Sequence, residues 1–177
     1  MNQGISVATG DFIGLINADD WLVPNAINTI VESIKKHKNI DIFHGNINSI
    51  NNSSIKVVKP TENLKDFFWK GMSYMHPTFY VKKEIYKKLN YDENYKLLSD
   101  YKFTMECFQK GFTFYHIDET LVNYTLGGAS SVFFKRIQEG HTIRLALGFP
   151  HNLVYLSTVL RISITIASKI KNSFKNS

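Results

Sequence analysis

Apolar residues fall along this chain at two spacings, and the switches between them mark a series of short elements. "DFIGLI" (Asp11 to Ile16) is an unbroken apolar run of strand length. Asn2 to Ala8 is too short for periodicity to decide, but Gly10 has the character of a helix-terminating glycine with positive φ, so a helix is expected before the strand. After the strand come Asp19 and Asp20. Pro24 then suits the first position of a helix carrying Ile27, Ile30, Val31 and Ile34 at helical spacing, ending in "KKHKN". "IDIFHGNINSI" alternates as a strand does, and Asn51-Asn52-Ser53-Ser54 predicts a turn back into "IKVVK", forming a hairpin.

Further along, a short helix is expected from Glu62 to Lys70. "YMHPTFYV" reads as a strand whose Pro77 calls for an edge or a bulge, and "KKEIYKKL" as a short helix. Ser99 is placed to cap a helix from Asp100 to Lys110 with Phe103, Cys107 and Phe108 inward, and Gly111 closes it. "FTFYHI" is another strand and "TLGGASS" a flexible loop. Helices are expected from Val132 to Leu147 and from Leu153 to Lys171. Strands interleaved with helices indicate an α/β or α+β domain, and the chain shows no internal repeat.

Composition narrows this only a little. At 177 residues, 44% hydrophobic and 14% aromatic, the chain can build one real core and is not disordered. The net charge of +6 favours acidic partners, but Lys35-Lys36, Lys82-Lys83 and Lys87-Lys88 are scattered, as on solvated faces. No RNP, zinc or helix-turn-helix signature is present, so no nucleic-acid partner is expected. Cys107 is the single cysteine. It excludes an intrachain disulfide and a cysteine-based zinc site, fits a reducing cytoplasm, and is most simply core filling. "MNQGISVATGD" has no apolar signal core.

Two adjacent carboxylates at the end of a buried strand repel one another. Either they occupy a turn before a helix, as aspartates often do, or a hard cation such as Mg²⁺ or Mn²⁺ relieves the repulsion. Ligands collect at the carboxyl ends of strands in open α/β sheets, which suits the second option. On the pair alone, the turn is the better account.

The surroundings shift the balance. "NQGISVATGDFIGLINADDWLVPNAI" resembles family 2 glycosyltransferases of the GT-A fold, with Ala8, Gly10, Asp11, Asn17, Asp19, Asp20, Trp21 and Pro24 in the frame of that family's A-x-G-[DE], strand and D-x-D-type motif. Asn17 stands where an aspartate is often found. "MHPTFYVKKEIYKKLNYDENYKLLSDYKFTMECFQKG" is similar to the family's acceptor-side half, with Asp100 at the aspartate of its "[AE]-D-x-x-[LF]" motif, and "YTLGGASS" resembles a glycine-rich loop of one subgroup. Together these cover most of residues 2–140 in the expected order.

The resemblance implies a partial GT-A α/β fold: a mixed sheet with flanking helices, lacking the first strands. Residues 1–148 would form a truncated GT-A core, and residues 149–177 a C-terminal helix, core-docked or membrane-peripheral. Asp19 and Asp20, helped by Asn17, would hold Mn²⁺ or Mg²⁺. Gly127, Gly128 and Ser130 would close over the donor, Asp100 would be the catalytic base, and His76 is an acceptor-side candidate. For His76, as for His44 and His116, a hydrogen-bonded structural role is the simpler expectation, and for Trp21 packing under the loop.

The implied chemistry is inverting transfer of a sugar from a nucleotide-sugar, most simply a UDP-sugar, to a glycan or lipid-linked acceptor, as in polysaccharide biosynthesis. Such a displacement needs one base and a cation or fixed dipoles for the departing diphosphate. It does not need the paired carboxylates of glycoside hydrolysis. Asp100 at a helix N-terminus would be kept ionised by the helix dipole.

In the resembling subgroup "MNQGI" lies inside a longer segment, so the strands that bind nucleotide base and ribose are expected upstream of Met1. The chain then reads as a truncated frame, a late start, or half of a split enzyme, with the first strand left as an exposed edge and activity alone weak or absent. The rivals are a non-catalytic remnant or partner subunit and, with less support, a metal-dependent phosphohydrolase. "LVYLSTVLRISITIASKIKNSFK" is diluted by Arg161 and by serines and threonines, so it falls short of a membrane span. Docking on the core is the simpler expectation. Peripheral contact through Lys169, Lys171 and Lys175 is the alternative, which would put a cytoplasmic protein at the inner face of the membrane.

Overall fold

A computed structural model describes residues 1–51, 54–61, 74–125 and 133–175. The expected Glu62–Lys70 helix and the loop residues Gly127, Gly128 and Ser130 lie outside these.

The elements run α1 (Asn2–Val7), β1 (Phe12–Gly14), β2 (Trp21–Leu22), α2 (Ala26–Lys36), β3 (Ile42–Asn51), β4 (Ser54–Val58), a 3₁₀ turn (His76–Thr78), β5 (Tyr80–Lys82), α3 (Lys83–Tyr86), α4 (Ser99–Gln109), β6 (Phe114–Thr125), α5 (Phe133–Ala146) and α6 (His151–Lys175). The sheet order is β1-β5-β3-β6-β2, with β4 also paired to β3. β3 is the hub. Its first residues pair antiparallel with β5, its last five form the expected hairpin with β4, and along its other edge it runs parallel to β6. β1 is an edge strand, as expected, with β5 as its neighbour.

Strand alternation divides the core. Ile42 points into a cluster with Val81, Tyr86, Phe103 and Cys107, built by α3 and α4. Phe43, one residue on, points into a second cluster with Ala26, Ile30 and Leu121 under α2. Asp41 clamps the open end of three strands. Its carboxylate accepts from the Thr113 amide (3.0 Å) and hydroxyl (2.9 Å) and from Lys82 Nζ (3.1 Å). Burial works against its charge, but the Thr113 and Lys82 bonds outweigh it and hold the carboxyl below its ordinary value. Cys107 is fully buried core, with its thiol pushed up to about 12 by burial.

Several local expectations need correction. Gly10 does not adopt positive φ; among the described residues the left-handed positions are Gly111, as expected, together with Gly148 and Asn25. Pro24 precedes its helix, because left-handed Asn25 is the N-cap and α2 starts at Ala26. Only part of the apolar stripe of α2 is covered: Ile30 is buried, whereas Ile27 is 50% and Val31 40% exposed. Pro77 is neither at a strand edge nor in a bulge. It lies in the 3₁₀ turn, where its missing N–H costs nothing, and the strand begins only at Tyr80. Ser99 is the first residue of α4 rather than its cap, a position taken by Leu98.

Candidate active site

The paired carboxylates do two different things. Asp20 turns inward and is 8% exposed. Its Oδ2 accepts from Asn17 Nδ2 (2.8 Å), and its Oδ1 from the amide of Thr125 (3.3 Å) at the end of β6. Burial raises its pKa above the usual carboxylate value. The Asn17 and Thr125 bonds oppose that rise, and the charge of Asp19 adds to it. Asp19 faces solvent, while its carbonyl accepts from the Thr125 hydroxyl (3.1 Å). The like-charge problem is thus solved by separation: one acid ties the loop to β6, and the other projects. Trp21, expected to pack under this loop, is 50% exposed instead.

Asn17 lines a cleft of about 510 Å³ that also takes in His76, Asp100, Lys96, Tyr124 and Arg136. The sequence motifs on either side of the chain therefore meet across one cavity. Asp100 is half-buried in the first turn of α4, and its Oδ1 accepts from the Tyr101 amide (2.8 Å). Burial pushes its pKa up. His76, that amide and Arg136 pull the other way without overcoming it. The helix N-terminus favours the anion, while burial of the carboxyl works against it. A carboxylate so raised is a stronger base than a solvated one.

His76 is buried, with Nε2 2.9 Å from the Tyr91 hydroxyl. Burial lowers its pKa, against the pull of the Asp100 charge. The simpler expectation of a hydrogen-bonded histidine is what the geometry shows, in the cleft wall beside Asp100. His44 is likewise structural. It is buried among aromatic rings and stacked on His116 (5.2 Å between centroids), and its pKa is lowered to about 3 by burial and by the His116 charge.

Three contributors were not legible in the sequence. Tyr91 holds His76 and is itself held by Asn2, whose side chain bonds both its amide (3.1 Å) and its carbonyl (2.8 Å). Glu139, buried on α5, accepts from the amides of Lys96, Leu97 and Leu98 (3.2, 2.9 and 3.1 Å), fixing the cleft wall that leads into α4. Arg136, exposed on α5, brings positive charge toward Asp100. All three act across long sequence separations that no local spacing encodes.

Among the described residues, no group of three or more His, Cys, Asp or Glu could hold a metal ion. What the loop offers is oxygen chemistry from Asp19, Asp20 and Asn17, with Asp20 already engaged. Such a set does not make a closed protein cage. It fits a hard cation that keeps most of its shell from water and substrate phosphates.

Residues 1–109 match the family model for glycosyl transferase family 2, and the chain belongs to that family. It is 29% identical over 131 residues to the uncharacterized glycosyltransferase MJ1057 of Methanocaldococcus jannaschii, covering 71% of this chain and 45% of that protein. To the amylovoran biosynthesis glycosyltransferase AmsB of Erwinia amylovora it is 25% identical, covering 70% and 44%. The chain thus spans less than half the length of the curated relatives it matches. Its fold is GT-A-like. Crystal structures of S. aureus TarS 1-349 and of S. aureus TarS superpose with TM-scores of 0.59 and 0.60 at 14% identity, over 91% of this chain and 48% and 29% of theirs.

Proposed function

We propose that this chain supplies the diphosphate- and acceptor-binding half of an inverting glycosyltransferase. It would move a sugar from a nucleotide-sugar, most simply a UDP-sugar, to a glycan or lipid-linked acceptor. The observation that carries this is the meeting of the acidic loop, through Asn17, with Asp100, His76 and Arg136 in one cleft. Asp100 takes the proton of the acceptor hydroxyl. The acceptor oxygen bonds to the anomeric carbon as that carbon's bond to the diphosphate oxygen breaks, and the electron pair leaves with the nucleoside diphosphate. Arg136 offers that leaving group positive charge. His76, held by Tyr91, shapes the acceptor side. Asp19 and Asn17 would hold Mn²⁺ or Mg²⁺, with Asp20 fixing the loop, and the ion would neutralise the diphosphate when bound. The similarity to an amylovoran biosynthesis enzyme favours polysaccharide assembly as the setting. Because the match covers under half of each relative, contacts to the nucleotide base are assigned to further residues, and the chain alone is expected to be weak or inactive.

Calorimetry with UDP and Mn²⁺ tests this on the 177-residue chain and on a form extended upstream of Met1. We expect Mn²⁺-dependent binding that is tighter in the extended form and lost in Asp19→Ala, with Asp100→Asn binding normally but releasing no UDP from UDP-sugars. Binding indifferent to both Mn²⁺ and Asp19→Ala would overturn the assignment.

A further inference from the structure

Helix α6 is docked the wrong way round for a soluble helix. Over residues 151–167 its buried residues are Val154 and Ser157, flanked by half-buried Thr158, Arg161 and Thr165. That inward face is held by polar contacts. Arg144 Nη2 donates to Thr158 Oγ1 (3.1 Å), His141 Nδ1 lies 2.9 Å from the same oxygen, and the Arg161 guanidinium sits 5.9 Å from the centre of the Tyr101 ring. The outward face is mostly apolar, with Ser163 turned back onto the Val159 carbonyl: Tyr155, Leu156, Val159, Leu160, Ile164 and Ile166 are each 41–60% exposed.

At ~100° per residue those six side chains spread over about half the helix circumference, wider than the two-in-seven seam of a helix pair. The chain carries no Asp or Glu after Glu139, whereas Arg161, Lys169, Lys171 and Lys175 all follow. A second copy would bring like charges together; an anionic surface would not. No helix among the described residues is long and apolar enough to cross a membrane. From the broad apolar arc, the polar docking face and the one-signed charge, we infer that α6 lies flat in the interface of an anionic lipid bilayer, with its outer face in the acyl boundary. Its ~37 Å length then runs along the membrane plane and orients the domain on it.

Flotation of the full chain with vesicles tests the inference. The chain should float with phosphatidylcholine vesicles containing phosphatidylglycerol, poorly with phosphatidylcholine alone, and less as salt rises. Leu156→Glu/Val159→Glu should cut binding roughly tenfold or more and leave the circular dichroism spectrum unchanged, since both side chains are outside the core. Failure of the unaltered chain to float with anionic vesicles overturns the inference, whatever the variant does. So does equal flotation of the folded variant, or a concentration-dependent dimer in sedimentation that the same pair of substitutions abolishes while vesicles have no effect.

Discussion

Helices α4 and α6 carry comparable apolar content and use it in opposite ways. α4 buries Tyr101, Phe103, Met105 and Cys107, and stacks Phe103 on Tyr91 (4.7 Å) and Tyr86 (5.3 Å). α6 seats Val154, a serine, two threonines and an arginine against the domain and leaves Leu156, Leu160, Ile164 and Ile166 outside. Periodicity in a sequence announces that a helix has a face. It does not say whether the chain itself covers that face. α4 thereby fixes Asp100 rigidly at the cleft, while α6 is free to answer to something external.

The contrast can be broken at several points. The largest effect belongs to the cleft end of α4: wherever the chain supports sugar transfer, Asp100→Asn should lower the initial rate of UDP release by about 10²–10⁴-fold with little change in unfolding midpoint. Phe103→Ala on the inward face should cost about 3–5 kcal/mol in urea unfolding. Glu139→Gln, which weakens the bonds to the amides leading into α4, should cost about 1.5–3 kcal/mol and reduce transfer through displacement of Asp100.

The aromatic group beneath α4, where Tyr74 links His44 (4.4 Å) to Phe108 (5.8 Å), adds an acid-sensitive element. The folded His44 pKa of about 3 lies below its ordinary 6.5, so the unfolded chain binds the extra proton. This contribution to stability is therefore complete above pH 6.5 and is lost as pH falls toward 3, by at most about 1.4 kcal/mol per pH unit. His44→Phe should flatten that acid slope in pH-dependent unfolding. The smallest effect sharpens the comparison most: Leu156→Ala on the outer face of α6 should shift stability in solution by no more than about 0.5 kcal/mol.

Much of the fold was legible. The hairpin, α4 and the start of β6 follow from clean alternation or helical spacing, and the Asn51–Ser54 reversal from its residue types, whereas the run of β6 on to Thr125 was not legible. The errors share a cause, in that local chemistry allowed two outcomes and distant contacts chose. Pro77 satisfies a 3₁₀ turn as well as a strand edge, and the Thr78 hydroxyl, bonded to the carbonyls of Met75 (2.7 Å) and Gly45 (3.3 Å), helps fix which. Asn17 within "NADDW" and Thr125, more than a hundred residues on, together hold Asp20 inward. Arg136 lines the cleft, and Tyr91 and Glu139 brace its walls, through tertiary contact alone.

The pairing of β3 with β6 changes step at Gly45. Gly45 faces Ile117, yet Ile47 faces Val122, so two residues on one strand answer five on the other. Gly45 permits this because a Cβ there would come within 2.6 Å of the Leu121 side chain. The surplus is an odd number, and each odd slip swaps inside for outside. Removing a single residue such as Glu119 would therefore reverse the parity of everything beyond it, rotating Tyr124 out of the cavity and withdrawing the Thr125 amide from Asp20. The geometry of the acidic loop is counted out, residue by residue, on a strand it never adjoins in sequence.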